Sequence, residues 1–395
     1  MKAFFPRPLG LCVALLLLGL GAHARAATVT VTSTADTGAG TLRQAVQDAT
    51  PGDTIEFALA DPAVIFVLTP VSIDKNLTIT GPGVDQLALD GGGFDAVLRI
   101  SAGATVEVRQ LTVRNGGAGG IHNSGTLTVS RVVFSANYSN TLGGAIANLG
   151  TLTANDSTFA QNRAGNRAGA IYNNAGATVS RCSFTGNTAV HDGGAIANFG
   201  TIEVNKSTFS GNTSVGDFGG SGGAIFNNAT VVLKDSTLTG NATSGAGGAI
   251  FTRGALTISG STIGSNSVAA GGSGSAIFNY INVSVSRSII VGTCAGAALV
   301  SVGDNIGSTD SCVVSWTELN DRANLNARLG ALADNGGPTS TQILQTGSPA
   351  IDEVRVDTAA CTGTDQRGVR RPSGARCDIG AVEMDFDTLF TNGFE

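Results

Sequence analysis

GGAIANLGTLTANDSTFAQN (residues 143–162) and AGAIYNNAGATVSRCSFTGN (residues 168–187) are one phrase written twice, 25 residues apart. Gly-Gly-Ala-Ile recurs from Gly143, Gly193, Gly222 and Gly247, with variants ending at Ile171 and Ile277 and a partial copy ending at Ile121. A second phrase, Phe-x-x-Asn, lies between the copies and begins at Phe134, Phe159, Phe184 and Phe209, continuing as Leu238 to Asn241 and Ile263 to Asn266. A fixed period of this length means one supersecondary unit per repeat.

Within each unit the apolar residues alternate, as at Leu127/Val129, Val132/Phe134 and Ile202/Val204. Period two means strands with one buried face, and no 3.6-residue spacing competes with it. Each unit is read as three short strand segments, Gly-Thr-Leu-Thr-Val, Ser-Thr-Phe and Gly-Ala-Ile-x-Asn, which together make one coil of a parallel β-helix. Stacking identical coils lines up their apolar positions into a continuous core. Two asparagine columns share the inward parity: Asn123, Asn148, Asn173, Asn198, Asn227 and Asn279, interrupted by Thr252, and Asn137, Asn162, Asn187, Asn212, Asn241 and Asn266. They are expected to form amide ladders at the corners rather than to bind a ligand. One outward column is charged (Arg131, Asp156, Arg181, Lys206, Asp235, Gly260, Arg287) and reads as a surface pairing ladder at 131/156, 156/181 and 206/235.

Composition agrees. Of 395 residues 56 are glycine, twice the usual share of about 7%, and only 13% are charged. No strict third-residue glycine period exists and proline numbers 9, which excludes collagen. The 42% apolar share gives enough side chains to bury a core.

Lys2 and Arg7, the apolar run Leu9 to Leu20, and Ala24-Arg25-Ala26 read as a secretory signal peptide over residues 1–26, too short for a membrane span. Its excision removes three basic residues and no acid, so the exported chain would be more acidic than the −6 of the full sequence, which argues against nucleic acid as partner. Export favours disulfides. The cysteines close in sequence are expected to pair as Cys294–Cys312 and Cys361–Cys377, leaving Cys182 as a small buried thiol.

A solenoid needs covered ends. Thr41 to Ala49 reads as a short helix with Leu42, Ala45, Val46 and Ala49 on one face, capped by Thr41 and stopped by Pro51-Gly52. It is assigned to plug the first coil. The division is then residues 27–115 for this cap and irregular coils, 116–291 for the regular repeat, 292–385 for C-terminal coils and a turn-rich cap, and 386–395 for a polar-aromatic tail too short to cross a bilayer.

The Gly-Gly-Ala-Ile and Phe-x-x-Asn phrases resemble the repeats of polymorphic outer-membrane proteins, and Asp334-Asn-Gly-Gly-Pro338 through Glu383 resembles the bacterial choice-of-anchor Q domain. The first resemblance implies a right-handed parallel β-helix and an adhesin-like surface role. The second implies a closing domain of secreted β-helix proteins that precedes varied attachment tails.

A secreted or cell-surface protein with a structural, adhesin-like or carbohydrate-binding role is therefore expected, with extracellular glycans or surface proteins as partners and no transmembrane segment in the exported chain. The alternative is a polysaccharide lyase or hydrolase of the pectate-lyase-like β-helix type. Such a site needs acids converging from adjacent coils, and the repeats offer only Asp156, Asp192, Glu203, Asp217 and Asp235, which are scattered. His122 and His191 belong to no Ser/His/Asp or Cys/His set. No catalytic residue and no cofactor is assigned. Asp334, Asp352, Asp365, Asp378 and Glu383 are the one candidate for a cation such as calcium; turn formation and pairing with Arg367, Arg370 and Arg371 is the preferred reading.

Overall fold

The alternating pattern is satisfied by three parallel sheets that share one interior. In the computed structural model, which describes residues 26–216, 220–312, 318, 320–354 and 361–384, a regular coil starts with a strand such as Ile146–Asn148. It turns at Gly150 into Thr151–Asn155, bends at Asp156 into Thr158–Ala160, and turns again into Arg163–Ala164. The next coil repeats this in strict register, with Leu152 on Ala177, Phe159 on Phe184 and Asn148 on Asn173. A coil thus holds four short strands rather than three. The additional two-residue strands, from Tyr138–Ser139 to Ser267–Val268, form a six-stranded corner sheet among the described residues. The alternation signal needs more than two residues to show, so such strands leave no trace in the pattern.

The core is the set of stacked inward positions. Phe134, Phe159, Phe184 and Phe209 are fully buried, with ring centroids 5.0, 4.7 and 4.5 Å apart and planes within 4°. Both asparagine columns run beside this core. In the second, each amide satisfies all its groups: Asn187 Nδ2 donates to Asn212 Oδ1 (2.9 Å) and Phe159 O (2.8 Å), while its Oδ1 accepts from Asn162 N (3.0 Å) and Asn162 Nδ2 (2.9 Å). The first ladder runs from Asn123 to Asn227, ends on the Thr252 hydroxyl (3.0 Å), and leaves the Asn279 Oδ1 without a donor. A third ladder accompanies them: Ser207, Ser236, Ser261 and Ser288 each accept from the backbone N–H one coil earlier. Cys182 stands in this row, its thiol donating to Ser180 O (3.3 Å); burial pushes that thiol up to about 12.

The charged column follows the expected pairing at 156/181 and departs from it from Lys206 onward. Its members occupy the bend between the second and third strands of each coil, which belong to one long sheet of 21 strands among the described residues, with φ between +42° and +54°. Arg181 and Asp156 do make a two-point contact (2.6 and 2.7 Å). Lys206 instead donates to Thr364, and Asp235 and Arg287 lean toward each other over Gly260, where a Cβ would lie 2.5 Å from the Asp235 carboxylate. The cause is the C-terminal segment, which folds back along this side. Gln366 bridges Thr208 (2.7 Å) and Thr237 (2.7 Å), Gly380 N donates to Arg287 O (3.0 Å), and Ala381 N to Thr262 Oγ1 (3.0 Å).

At the other end Leu42–Asp48 is the expected helix. Thr41 accepts from Gln44 N, and Leu42, Ala45 and Val46 are buried against the first coil. Cys294 is joined to Cys312 and Cys361 to Cys377. The signal-peptide residues 1–25, Asp217 and the tail 386–395 lie outside the described residues.

Candidate functional site

The acids singled out in the repeats do not converge. Asp156 pairs with Arg181, Asp192 with Arg167 (2.8 Å) and Glu203 with Lys234 (2.9 Å), each pair across neighbouring coils. In the C-terminal segment Asp365, Asp378 and Glu383 come together with Arg371. Asp352 joins them through its N–H to Asp378 (2.7 Å), and Asp334 stands apart, accepting from Gly336 N (3.0 Å). Glu383 and Arg371 form a buried pair (3.0 Å), Asp365 holds Arg367 (3.0 Å), and Arg370 meets Thr364 through the backbone. Burial pushes the Asp378 carboxyl up to about 7, with Glu383 adding to the push, and burial likewise raises Glu383. The carboxylate oxygens also accept backbone N–H groups, from Ser373, Asp378, Val369 and Met384. This is a hydrogen-bonded lock that fixes the segment to the solenoid. Among the described residues no three His, Cys, Asp or Glu side chains are grouped to hold a metal.

A groove of about 430 Å³ lies elsewhere, on the first irregular coils. The long sheet aligns Phe66 with Asp90, Asp90 with Arg114, and Arg114 with Ser135, all at strand ends with side chains outward. Asp90 is nearly buried at the groove floor. Its carboxylate accepts from Gly92 N (2.9 Å), Arg114 Nε (2.7 Å) and Asn115 Nδ2 (2.9 Å). The rest of the floor is backbone: Gly93 N donates to Asn115 O (2.7 Å), and a Cβ on Gly117 would lie 2.1 Å from Gly93 O. Only glycine permits so close an approach.

Aromatic residues stand at the rim. Phe66 is 54% exposed and Tyr138 38%, with the Tyr138 hydroxyl donating to Asn140 (2.7 Å) and the Arg163 guanidinium 6.0 Å from its ring centre. Phe94, which follows the glycine run, is 71% exposed. A polar, hydrogen-bonded floor between exposed rings suits a ligand with hydroxyl edges and apolar faces. The described groove lining supplies one carboxylate, already ion-paired, so the two-acid arrangement of glycoside hydrolysis is not assembled there. The sequence reading missed this groove. Its available signal was Asp90-Gly-Gly followed one coil later by Asn115-Gly-Gly, with aromatics nearby.

A second aromatic feature runs along the outside of the sheet that contains Ile146–Asn148, ten-stranded among the described residues. Tyr172, Phe199, Phe226, Phe251 and Phe278 form a chain with centroids 5.3 to 5.6 Å apart. Phe226 and Phe251 are 3% exposed and pack with Ala168 and Ala197 into a small outer core. Their faces are spent on one another, which makes this row structural.

The repeat of Chlamydia polymorphic membrane proteins matches residues 181–198 and 206–228. These are two consecutive stretches of the regular coils. No curated protein matches the chain. Among solved structures, the crystal structure of pectate lyase Pel9A superposes with a TM-score of 0.50 over 90% of this chain and 96% of that one, at 13% identity. That likeness shows the parallel β-solenoid.

Proposed function

We propose that this is an exported, surface-associated β-solenoid with an adhesin-like role that holds glycan chains in the Phe66–Asp90–Tyr138 groove without cleaving them. The observation that carries the reading is the groove itself, where a fixed carboxylate–amide floor lies between two exposed rings. The surface part is supported by the polymorphic-membrane-protein repeat match, by the export-like residues 1–26, and by two disulfides, which suit an oxidising compartment. The resemblance of residues 334–383 to a choice-of-anchor Q domain belongs to the same reading, in which this segment leads toward an attachment tail.

A glycan array probed with the purified protein tests it. Binding is expected to one class of extended glycan, weakened about tenfold or more by Tyr138→Ala or Phe66→Ala, the loss of one ring contact or hydrogen-bonded neighbour at a wet site. Release of shortened glycan by the wild-type protein, abolished in Asp156→Ala or Asp192→Ala, would replace this reading with the lyase or hydrolase alternative. Retention of full binding by both aromatic variants would remove the groove from the account.

A further inference from the structure

The last coils and the folded-back hairpin do not close flush against each other. On the outer side of the long sheet, Gly264, Val291, Ser308 and Leu325 stand in one column. Val291 N donates to Ile263 O (2.8 Å), Ser308 N to Ile290 O (3.0 Å) and Leu325 N to Gly307 O (3.2 Å). The antiparallel hairpin Leu329–Ala333 and Thr341–Leu344 stands opposite and presents Gln342. Between them is a slot of about 520 Å³, inside the size range of small-molecule sites, roughly 300–1,000 Å³.

The chemistry of its lining is uniform. Ser265, Ser308, Asn326 and Gln342 supply hydroxyls and amides, Val291 and Leu325 supply aliphatic surface, and none of the described lining residues is charged. Gln342 reaches in because position 264 has no side chain: a Cβ there would lie 2.1 Å from its Oε1. Its Nε2 donates to Gly330 O (3.2 Å), and its Oε1 is buried without a donor. Phosphate, uronate and metal ions would enter such a slot with their charge uncompensated. A neutral polyol offers hydroxyls that both donate and accept, as amides do, and C–H faces that pack on Val291 and Leu325.

We propose that this slot is a second binding site, for an uncharged saccharide unit, at the opposite end of the solenoid from the Asp90 groove. It stands on its own residues and does not require the groove to bind anything.

Calorimetric titration of the whole protein with cellobiose, with N,N′-diacetylchitobiose and with galacturonate tests the assignment. Saturable binding of at least one neutral disaccharide is expected, with none of galacturonate. Gly264→Ala should weaken it about tenfold by pushing the Gln342 amide aside, the equivalent of one lost hydrogen bond. Ser308→Ala, which removes only the hydroxyl, should act in the same direction, and Tyr138→Ala should leave this binding intact. Absence of saturable binding by both neutral sugars, binding unaltered in both slot variants, or equal binding of galacturonate would overturn the proposal. Loss in Tyr138→Ala alone would place the sugar in the groove and also overturn it.

Discussion

Asn187 touches four partners and leaves none of its own polar atoms idle. Replacing it by leucine would strand the Asn162 backbone N–H, leave the Asn162 amide only its bond to Phe134 O, and take one donor each from the Phe159 carbonyl and the Asn212 oxygen inside the core. Each buried group left unmade costs about 1–3 kcal/mol. Asn187→Leu is therefore expected to lower the denaturation midpoint strongly, whereas Asn174→Leu, on a turn outside the ladder, should leave it within experimental scatter; equal midpoints for wild type and Asn187→Leu would refute the ladder. This detail was readable beforehand because the period returns the same residue to the same corner with inward parity. The serine row was only half readable. Ser157, Cys182, Ser207 and Ser236 also repeat, but a hydroxyl of that size carries no parity signal until its backbone donor is seen. The sign of φ along Arg131, Asp156, Arg181 and Lys206 was not readable at all, since arginine and lysine are unusual in the left-handed region.

Among elements, the N-terminal helix and the folded-back C-terminal segment show the two extremes of what a pattern can tell. Leu42, Ala45 and Val46 announce a helix face locally. The contacts of Gln366 with Thr208 and Thr237 join residues 129 or more apart with no shared period, so nothing in the repeat foretold that the segment would lie along the side and cover Asp235 and Arg287. This packing has a pH consequence. Asp378 holds its proton up to about pH 7 when docked, far above its ordinary 3.8, because burial disfavours the carboxylate. Between about pH 4 and pH 7 the docked segment binds a proton that the undocked one releases. Docking is therefore strongest in acid and weakens as pH rises through 7, with Glu383 shifted in the same direction. Hydrogen exchange at Ile379, Gly380 and Met384, corrected for the intrinsic pH dependence, should show greater protection at pH 5 than at pH 8. Asp378→Asn should flatten that difference. Protection that rises from pH 5 to pH 8 in the wild type would contradict the assignment.

For the whole molecule, the regular coils are the legible part and the candidate sites are the illegible part, for one physical reason. A solenoid binds itself together by repetition, so residues that repeat are spent on the stack. Residues that could meet a ligand lie where the repeat begins or is broken: Phe66 and the Asp90 floor on the irregular first coils, Tyr138 at the first corner strand of the regular ones, and Gln342 where the hairpin crosses the last ones. The acids of the repeats were readable as scattered, and three of them, Asp156, Asp192 and Glu203, pair with Arg181, Arg167 and Lys234. The groove rests on contacts between coils 24 to 25 residues apart, such as Arg114 and Asn115 on Asp90, which become a site only once register is known. In the proposed function this groove is where the protein meets a glycan. Its most direct test is amide chemical-shift mapping of the whole protein titrated with the strongest glycan found on the array. Saturable shifts are expected at Gly92, Gly93, Gly116, Gly117 and Tyr138, and none in Tyr138→Ala. Shifts confined to other faces of the solenoid, with the glycine floor unmoved, would contradict it.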